Sequence, residues 1–390
     1  MEEAEVAYAN LSRPFACIDL DALDRNITFV NRVAGEKGIR IATKSVRSIQ
    51  LLQYIAERLN NPVGWMTFDL RETHYLLENG FDDLLLGYPQ YEKDAVERII
   101  PFIREGRTVI FMIDRLEQWR WLESIGQEHA IVFEICVDLN MSTDFKMLYF
   151  GTKRSALQTV GDVAALLKSG ASFTHTTITG VMGYEAQIAG VTDLPVVSWQ
   201  KLLIKRLKGM SYRGVRKFRT DAVNLIRRYS ATLRFVNGGG SGSIDFTAGE
   251  EEVTELTIGS AFYFPALFSR YQNLPLEPAA MFALRVTRKP EQGIVVCHGG
   301  GYIASGATGS DKNPMPVWPE NLNFLKNEGA GEVQTPLRDQ DETVQIGDTV
   351  YFRHAKAGEL CERFSELHAR RGTLYEGAYK TYRGEGGCFL

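Results

Sequence analysis

Between residues 39 and 259, short apolar runs rich in β-type residues alternate with longer stretches of helical periodicity. Such alternation builds parallel strands covered by helices. Eight runs occur: IRIAT (39–43), VGWMT (63–67), DLLLGY (83–88), TVIFMI (108–113), IVFEICVDL (131–139), TTITGVMG (176–183), TLRFV (232–236) and ELTIG (255–259). Eight parallel strands over this length fit a (β/α)8 TIM-type barrel, whose usual size is about 250 residues, better than an open sheet. Helix-start signals follow several runs. Asp69 with Glu72, and Asp114 with Glu117, place a capping carboxylate before a helix and an acid three residues on. The basic stretch KRLKGMSYRGVRKFR (205–219) lies between two barrel strands and reads as a solvated crossover rather than an anion site.

Two segments fall outside the alternation. ACIDL (16–20) is a strand before the first barrel strand, followed by a helix over 21–34 with Leu23, Ile27, Val30 and Ala34 on one face. Beyond Leu276 the texture changes to short strands and turns: FALRVTRKP, GIVVCHGGG and QIGDTVYFRH, with Gly347 and Asp348 in a turn. The expected organisation is a barrel over 21–275 and an all-β domain made of 1–20 and 276–390.

The net charge of −4, with no block of Lys and Arg, points away from nucleic acid and anionic membranes and toward a small-molecule partner. No apolar run approaches the roughly 18 residues of a membrane span. The opening MEEAEVAYANLSRP is acidic where a secretion signal is basic then apolar, so a cytoplasmic protein is expected. The five cysteines, Cys17, Cys136, Cys297, Cys361 and Cys388, include no CxxC pair and read as reduced thiols.

Lys44 immediately follows the first barrel strand, at the end where barrel enzymes assemble their sites. Position alone also fits a lysine whose head reaches solvent; a Schiff-base lysine needs desolvation or a prepared aldehyde. The loop NGGGSGS, from Asn237 to Ser243, offers unhindered backbone amides to an anion, as do Gly259 and Ser260 after the next strand. These loops follow the seventh and eighth runs, where barrels commonly bind phosphate. Tyr184, after the sixth run, is either a packed aromatic or a neighbour of a cofactor ring. Glu134 and Asp138 alternate with apolar neighbours, so a carboxylate could point into the barrel, a salt-bridged structural acid being the plainer reading.

FACIDLDALDRNITFV, RIATKSV, TFDLRETHYLLENGFDDLLLGYPQ and VNGGGSGS resemble stretches of the alanine-racemase-like pyridoxal phosphate (PLP) enzymes, and within them the D-threonine aldolase and D-serine dehydratase branch. GIVVCHGGGYIASG and VQIGDTVYFRHAKAGELC resemble the β-domain signatures, so the likeness runs over most of the chain. The resemblance implies PLP held as a Schiff base on Lys44. It further implies a phosphate held by the Asn237 loop through Gly239, Gly240 and Ser241 together with Gly259 and Ser260, Tyr184 near the pyridine ring, and a homodimer sharing its active sites. Lys44, once displaced by a substrate amine, would be free to act as a base.

The sequence departs from the branch where a His followed two positions later by Asp or Cys binds a divalent metal. Here the stretch reads His354, Ala355, Lys356. Either Lys356 supplies the charge and proton in place of the metal, or His354 and Cys361 form a rearranged metal site, or His354 and Lys356 are surface groups on a strand. His298 stands where the family pattern places an acid. The expected activity is that of a PLP-dependent lyase on small β-hydroxy amino acids of D configuration, by retro-aldol cleavage or by dehydration with loss of ammonia. The alternatives are an amino-acid racemase, for which Tyr351 is the candidate second base, and a PLP-holding protein without turnover, against which the β-domain argues.

Overall fold

In the computed structural model, which describes residues 1–145, 149–190, 193, 200–271, 274–307 and 309–390, all eight apolar runs become strands of one closed parallel barrel. With the N-terminal strand Phe15–Asp19 as β1, the barrel strands are β2 (Gly38–Ala42), β3 (Pro62–Thr67), β4 (Leu84–Leu86), β5 (Val109–Ile113), β6 (Phe133–Asp138), β7 (Thr176–Gly183), β8 (Phe235–Gly238) and β9 (Glu255–Ile258). They are hydrogen-bonded in chain order, and β9 closes on β2.

Successive residues of a strand face opposite sides. One set, including Ile41, Phe111, Ile135 and Val137, packs under the helices. The other fills the barrel interior with Leu85, Ile110, Met112, Cys136, Met182 and Phe235. Below this layer Arg40 is buried, its Nε donating to Glu255 Oε1 at 2.7 Å and its guanidinium paired with Asp83 at 2.9 Å and lying over the Phe235 ring. Asn237 Nδ2 donates to the same Glu255 oxygen at 2.8 Å.

The second unit is a nine-stranded sheet. Its strands are β10 (Ala280–Glu291), β11 (Ile294–His298), β12 (Met315–Trp318), β13 (Leu322–Phe324), β14 (Gln334–Asp339), β15 (Thr349–Arg353), β16 (Glu366–Arg371), β17 (Leu374–Lys380) and β1 itself. As expected, the N-terminal strand joins the C-terminal sheet: β1 runs antiparallel to β10 and parallel to β16. The helix Leu20–Ala34 then leads into the barrel. It starts on Asp19, whose side chain accepts from the amides of Asp21 and Ala22, and it buries Leu23, Ile27, Val30 and Ala34. Among the described residues no helix is long and apolar enough to cross a membrane.

Two local expectations need correction. The basic stretch 205–219 belongs to a 30-residue helix, Gln200–Tyr229, and is not solvated throughout. Lys208, Ser211, Val215 and Arg219 recur at helical spacing and are buried. The Asp114–Glu117 cap does not form. Gln118 Oε1 instead accepts from the amides of Asp114 at 2.6 Å and Arg115 at 2.9 Å, which leaves the Asp114 carboxyl free to turn toward the barrel mouth. Asp69 does cap its helix, while Glu72 turns inward to Phe68 N at 2.8 Å and Tyr382 Oη at 3.0 Å.

Removing one member of a fully buried ion pair leaves an uncompensated charge. Arg40→Met is expected to lower unfolding stability by ~3–5 kcal/mol, read from the urea midpoint, with Arg40→Met/Glu255→Met recovering part of that loss.

Candidate active site

The C-terminal ends of the barrel strands enclose a cavity of ≈ 480 Å³. Lys44 enters it from a single 3₁₀ turn, Thr43–Ser45, directly after β2. Thr43 and Ser45 are buried and pin the turn, and the Lys44 side chain alone reaches outward. Its Nζ donates to Tyr88 Oη at 2.5 Å. Tyr88 comes from the segment after β4 and lines the same cavity.

The glycine loop after β8 forms another side of the cavity, together with Gly259 and Ser260. Gly239 has φ +80°, a conformation that glycine adopts without strain. A Cβ on Gly240 would lie 2.9 Å from Tyr184 Cε2, and one on Gly242 would collide with Ala189 O. The amides of Ser241 and Gly242 have no acceptor among the described residues, whereas Gly239 N donates to Glu185 at 3.4 Å and Gly240 N to Ser243 Oγ at 3.2 Å. Ser241 Oγ accepts from Ala261 N at 2.8 Å and ties the loop to the turn that follows β9. Asn237 lines the cavity, its amide engaged with Glu255 and Thr257.

Under the loop, Arg219 pairs with Glu185 at 2.8 Å and with Glu250, all three side chains being at most 1% exposed. Glu185 also accepts from the hydroxyls of Ser243 and Thr247. Tyr184, one residue earlier in the chain, is thereby held against Gly240 and faces the cavity.

The wall opposite Lys44 is acidic. Ile113 of β5 and Val137 of β6 are register partners, so Asp114 and Asp138 stand side by side at the lip. Both follow inward-facing residues by two positions, Met112 and Cys136 respectively, and both line the cavity. Asp114 accepts from Gln118 Nε2 at 2.7 Å and from Ala156 N at 2.6 Å. No hydrogen-bond donor reaches the Asp138 carboxyl among the described residues. Its enclosure away from bulk water and the neighbouring Asp114 push its pKa up to about 8, against the opposing pull of Arg154. Arg154 also lines the cavity and has no ion-pair partner among the described residues. Glu134, lower in the barrel, is salt-bridged to Arg234 at 2.5 Å, the structural reading of that acid.

The residues of the β-domain segment lie elsewhere. His354 is 1% exposed, and burial with the adjacent Arg353 pushes its pKa down to about 3, so its ring is neutral. Lys356 Nζ donates to Ser305 O at 2.5 Å. Cys361 donates to Val46 O at 3.3 Å, and burial pushes its thiol up to about 12. None of the three lines this chain's cavity. A neutral imidazole is a competent metal ligand, but the Lys356 ammonium cannot ligate a divalent metal while protonated, so the second member of the His-x-Asp/Cys pair is missing. Among the described residues, the group of side chains close enough to share a metal is Glu97, Glu128 and His129, on the outer helices. Tyr351 is buried against Phe15, its pKa raised by burial, and does not face Lys44. His298 is exposed at the end of β11, outside the cavity.

Lys44, Tyr184, Asn237, Gly239, Gly240, Ser241, Gly259 and Ser260 thus meet at one cavity; Lys356, His354 and Cys361 do not join them within the chain. Sequence reasoning missed Tyr88, Asp114 and Arg154. The first two had a usable signal, being polar groups at the end of the third run and just past the fourth; Arg154 lies far along a loop and had none.

No family model matches the chain. It is similar to a 3-hydroxy-D-aspartate aldolase of Paracoccus denitrificans (strain Pd 1222), 23% identical over 275 residues that make up 70% of this chain and 64% of that protein. The match therefore spans less than two thirds of the relative's length. Among solved structures it is similar to a D-threonine aldolase from Filomicrobium marinum, with TM-score 0.80 and 17% identity over 96% of each chain. It is also similar to the D-threo-3-hydroxyaspartate dehydratase from Delftia sp. HT23, with TM-score 0.76 and 15% identity over 96% of this chain and 98% of that one. The chain accordingly shares the fold of these solved structures, here a closed barrel with a second, sheet-built unit.

Gly259 packs against the Lys44 turn so closely that an added Cβ would lie 2.6 Å from Ser45 Oγ and 2.9 Å from Ala42 Cβ. Gly259→Ala is expected to cost ~1–3 kcal/mol by overpacking, measured by chemical denaturation.

Proposed function

We propose that the chain is a PLP-dependent lyase acting on small β-hydroxy D-amino acids. The observation that carries this reading is that a lysine amine and the unpartnered amides of Ser241 and Gly242 face one cavity, on a loop where a Cβ would fill the available space. That arrangement fits a phosphorylated aldehyde. PLP, when bound, supplies an electron sink joined to the substrate Cα. Lys44 would hold it through its side-chain amine and would be the base that takes and returns a proton at Cα. Ser241 and Gly242, with Gly259 and Ser260, hold the phosphate; Gly239 and Gly240 shape the loop, Asn237 seats its start, and Tyr184 lies along the ring. Arg154, a guanidinium without an ion-pair partner among the described residues, binds the substrate carboxylate.

The proteins it is similar to, two aldolases and a dehydratase of β-hydroxy D-amino acids, support the substrate class. A racemase needs a second base opposite Lys44, and Tyr351 is packed away from that position. We further propose that residues 21–275 and 1–20 with 276–390 are the two domains, that the protein is a cytoplasmic homodimer, and that Lys356 with the segment of His354 is presented to the second copy's cavity. No step is assigned to a metal.

Wild-type protein mixed with PLP is expected to show a visible absorbance band that Lys44→Ala lacks. Adding D-threonine, D-serine and D-alanine then separates aldehyde release, 2-oxo acid release and inversion; turnover of D-alanine alone would replace the lyase reading with a racemase. Arg154→Ala is expected to raise KM for the amino acid by ~10-fold or more, the loss of one charge-assisted contact.

A further inference from the structure

The barrel order places β6 four strands from β2 in either direction, so the Asp114–Asp138 pair faces Lys44 across the full width of the mouth. Two carboxyls side by side in a confined space do not both ionise readily. The two differ in their local hydrogen bonds. Asp114 receives a donor on each oxygen, from Gln118 Nε2 and Ala156 N. Asp138 receives none among the described residues and is open to the cavity. The groups facing it are Asp114 from the end of β5, Arg154 from the loop beyond, and Cys136 two residues down its own strand.

We propose that Asp138 is the general acid that protonates the departing β-oxygen, so that the reaction of this site is dehydration rather than retro-aldol cleavage. The inference rests on the lyase reading. Lys44 takes the Cα proton, and the Cβ–O bond breaks with its electron pair on oxygen. Asp138 transfers its carboxylic proton to that oxygen, which departs as water. The unsaturated amine left behind is hydrolysed by water to a 2-oxo acid and ammonia, Lys44 returns its proton to solvent, and Asp138 takes one up. The stabilisation of the departing oxygen that a metal would give as a Lewis acid is here given by a proton from a neutral carboxyl of the chain itself.

The test compares D-serine with β-chloro-D-alanine, whose chloride leaves without a proton. Asp138→Asn is expected to lower 2-oxo acid formation from D-serine by ~10²-fold or more and to change that from β-chloro-D-alanine by at most a few-fold. The acid form is the active one. Wild-type turnover of D-serine therefore falls as pH rises through about 8, and the residual rate of the variant lacks that limb. In PLP-free protein, the infrared band of a protonated carboxyl should disappear over the same pH range in wild type and be absent from Asp138→Asn. Equal losses on both substrates, no loss on either, or an absent infrared band overturns the acid role. So does a wild type that cleaves D-threonine to glycine and acetaldehyde but forms no 2-oxo acid from D-serine. A wild type that turns over none of D-serine, β-chloro-D-alanine and D-threonine overturns the lyase reading and the acid's role with it, while the infrared titration separately reports whether Asp138 holds its proton.

Discussion

One guanidinium, that of Arg219, fixes the geometry on which the site depends. It sits at the meeting point of the long helix Gln200–Tyr229, the end of β7 and the loop after β8, and it answers the two buried carboxylates Glu185 and Glu250. Buried ion pairs add little net stability over an apolar packing of the same volume, because desolvation offsets their attraction. Their contribution here is positional. Glu185 Oε2 accepts from Arg219 and from the Gly239 amide, and its Oε1 accepts from the Ser243 and Thr247 hydroxyls. The loop is thereby turned so that the amides of Ser241 and Gly242, rather than those of Gly239 and Gly240, are left without a partner.

The period of two along the barrel strands organises the opposite wall in the same economical way. Ile110, Met112 and Cys136 occupy the interior, and the residues two further along β5 and β6 emerge at the lip as Asp114 and Asp138. The apolar layer below them shuts out water from beneath. That is why a carboxyl at this height keeps its proton while Glu134, two residues before Cys136 on the same strand, is salt-bridged to Arg234. Two acids of one strand differ in role because one has a guanidinium in contact and the other has a second carboxyl.

Most of the barrel was legible in the sequence because a parallel strand buried on both faces must be an apolar run, and eight such runs are hard to mistake. The pairing of β1 with β10 was legible for the opposite reason: ACIDL had no place in the alternation. What failed was polar detail decided by tertiary neighbours. Asp114 has the composition of a cap, yet Gln118 takes the capping amides, and no local rule ranks the two. Lys208 and Arg219 look like solvated charges in a basic stretch, but their partners Asp193, Glu185 and Glu250 come from segments distant in sequence. Lys44 was found from its place at a strand end taken together with the glycine loops and the family resemblance, and Tyr88, which touches it, was not, because the contact spans two strands.

The same electrostatics connects the altered β-domain segment to the acid wall. A divalent cation near the mouth would strip the proton from a carboxyl beside it, as bound cations do to any coordinating or adjacent acid. With His354, Ala355 and Lys356 in the segment that resembles a ligand pair, the nearest positive charge that the chain itself brings to Asp138 is Arg154, whose pull does not overcome burial and the neighbouring Asp114. A protonated Asp138 and a broken ligand pair are therefore mutually consistent: a segment in which Lys356 replaces the second ligand is also one beside which a neutral carboxylic acid persists in the cavity.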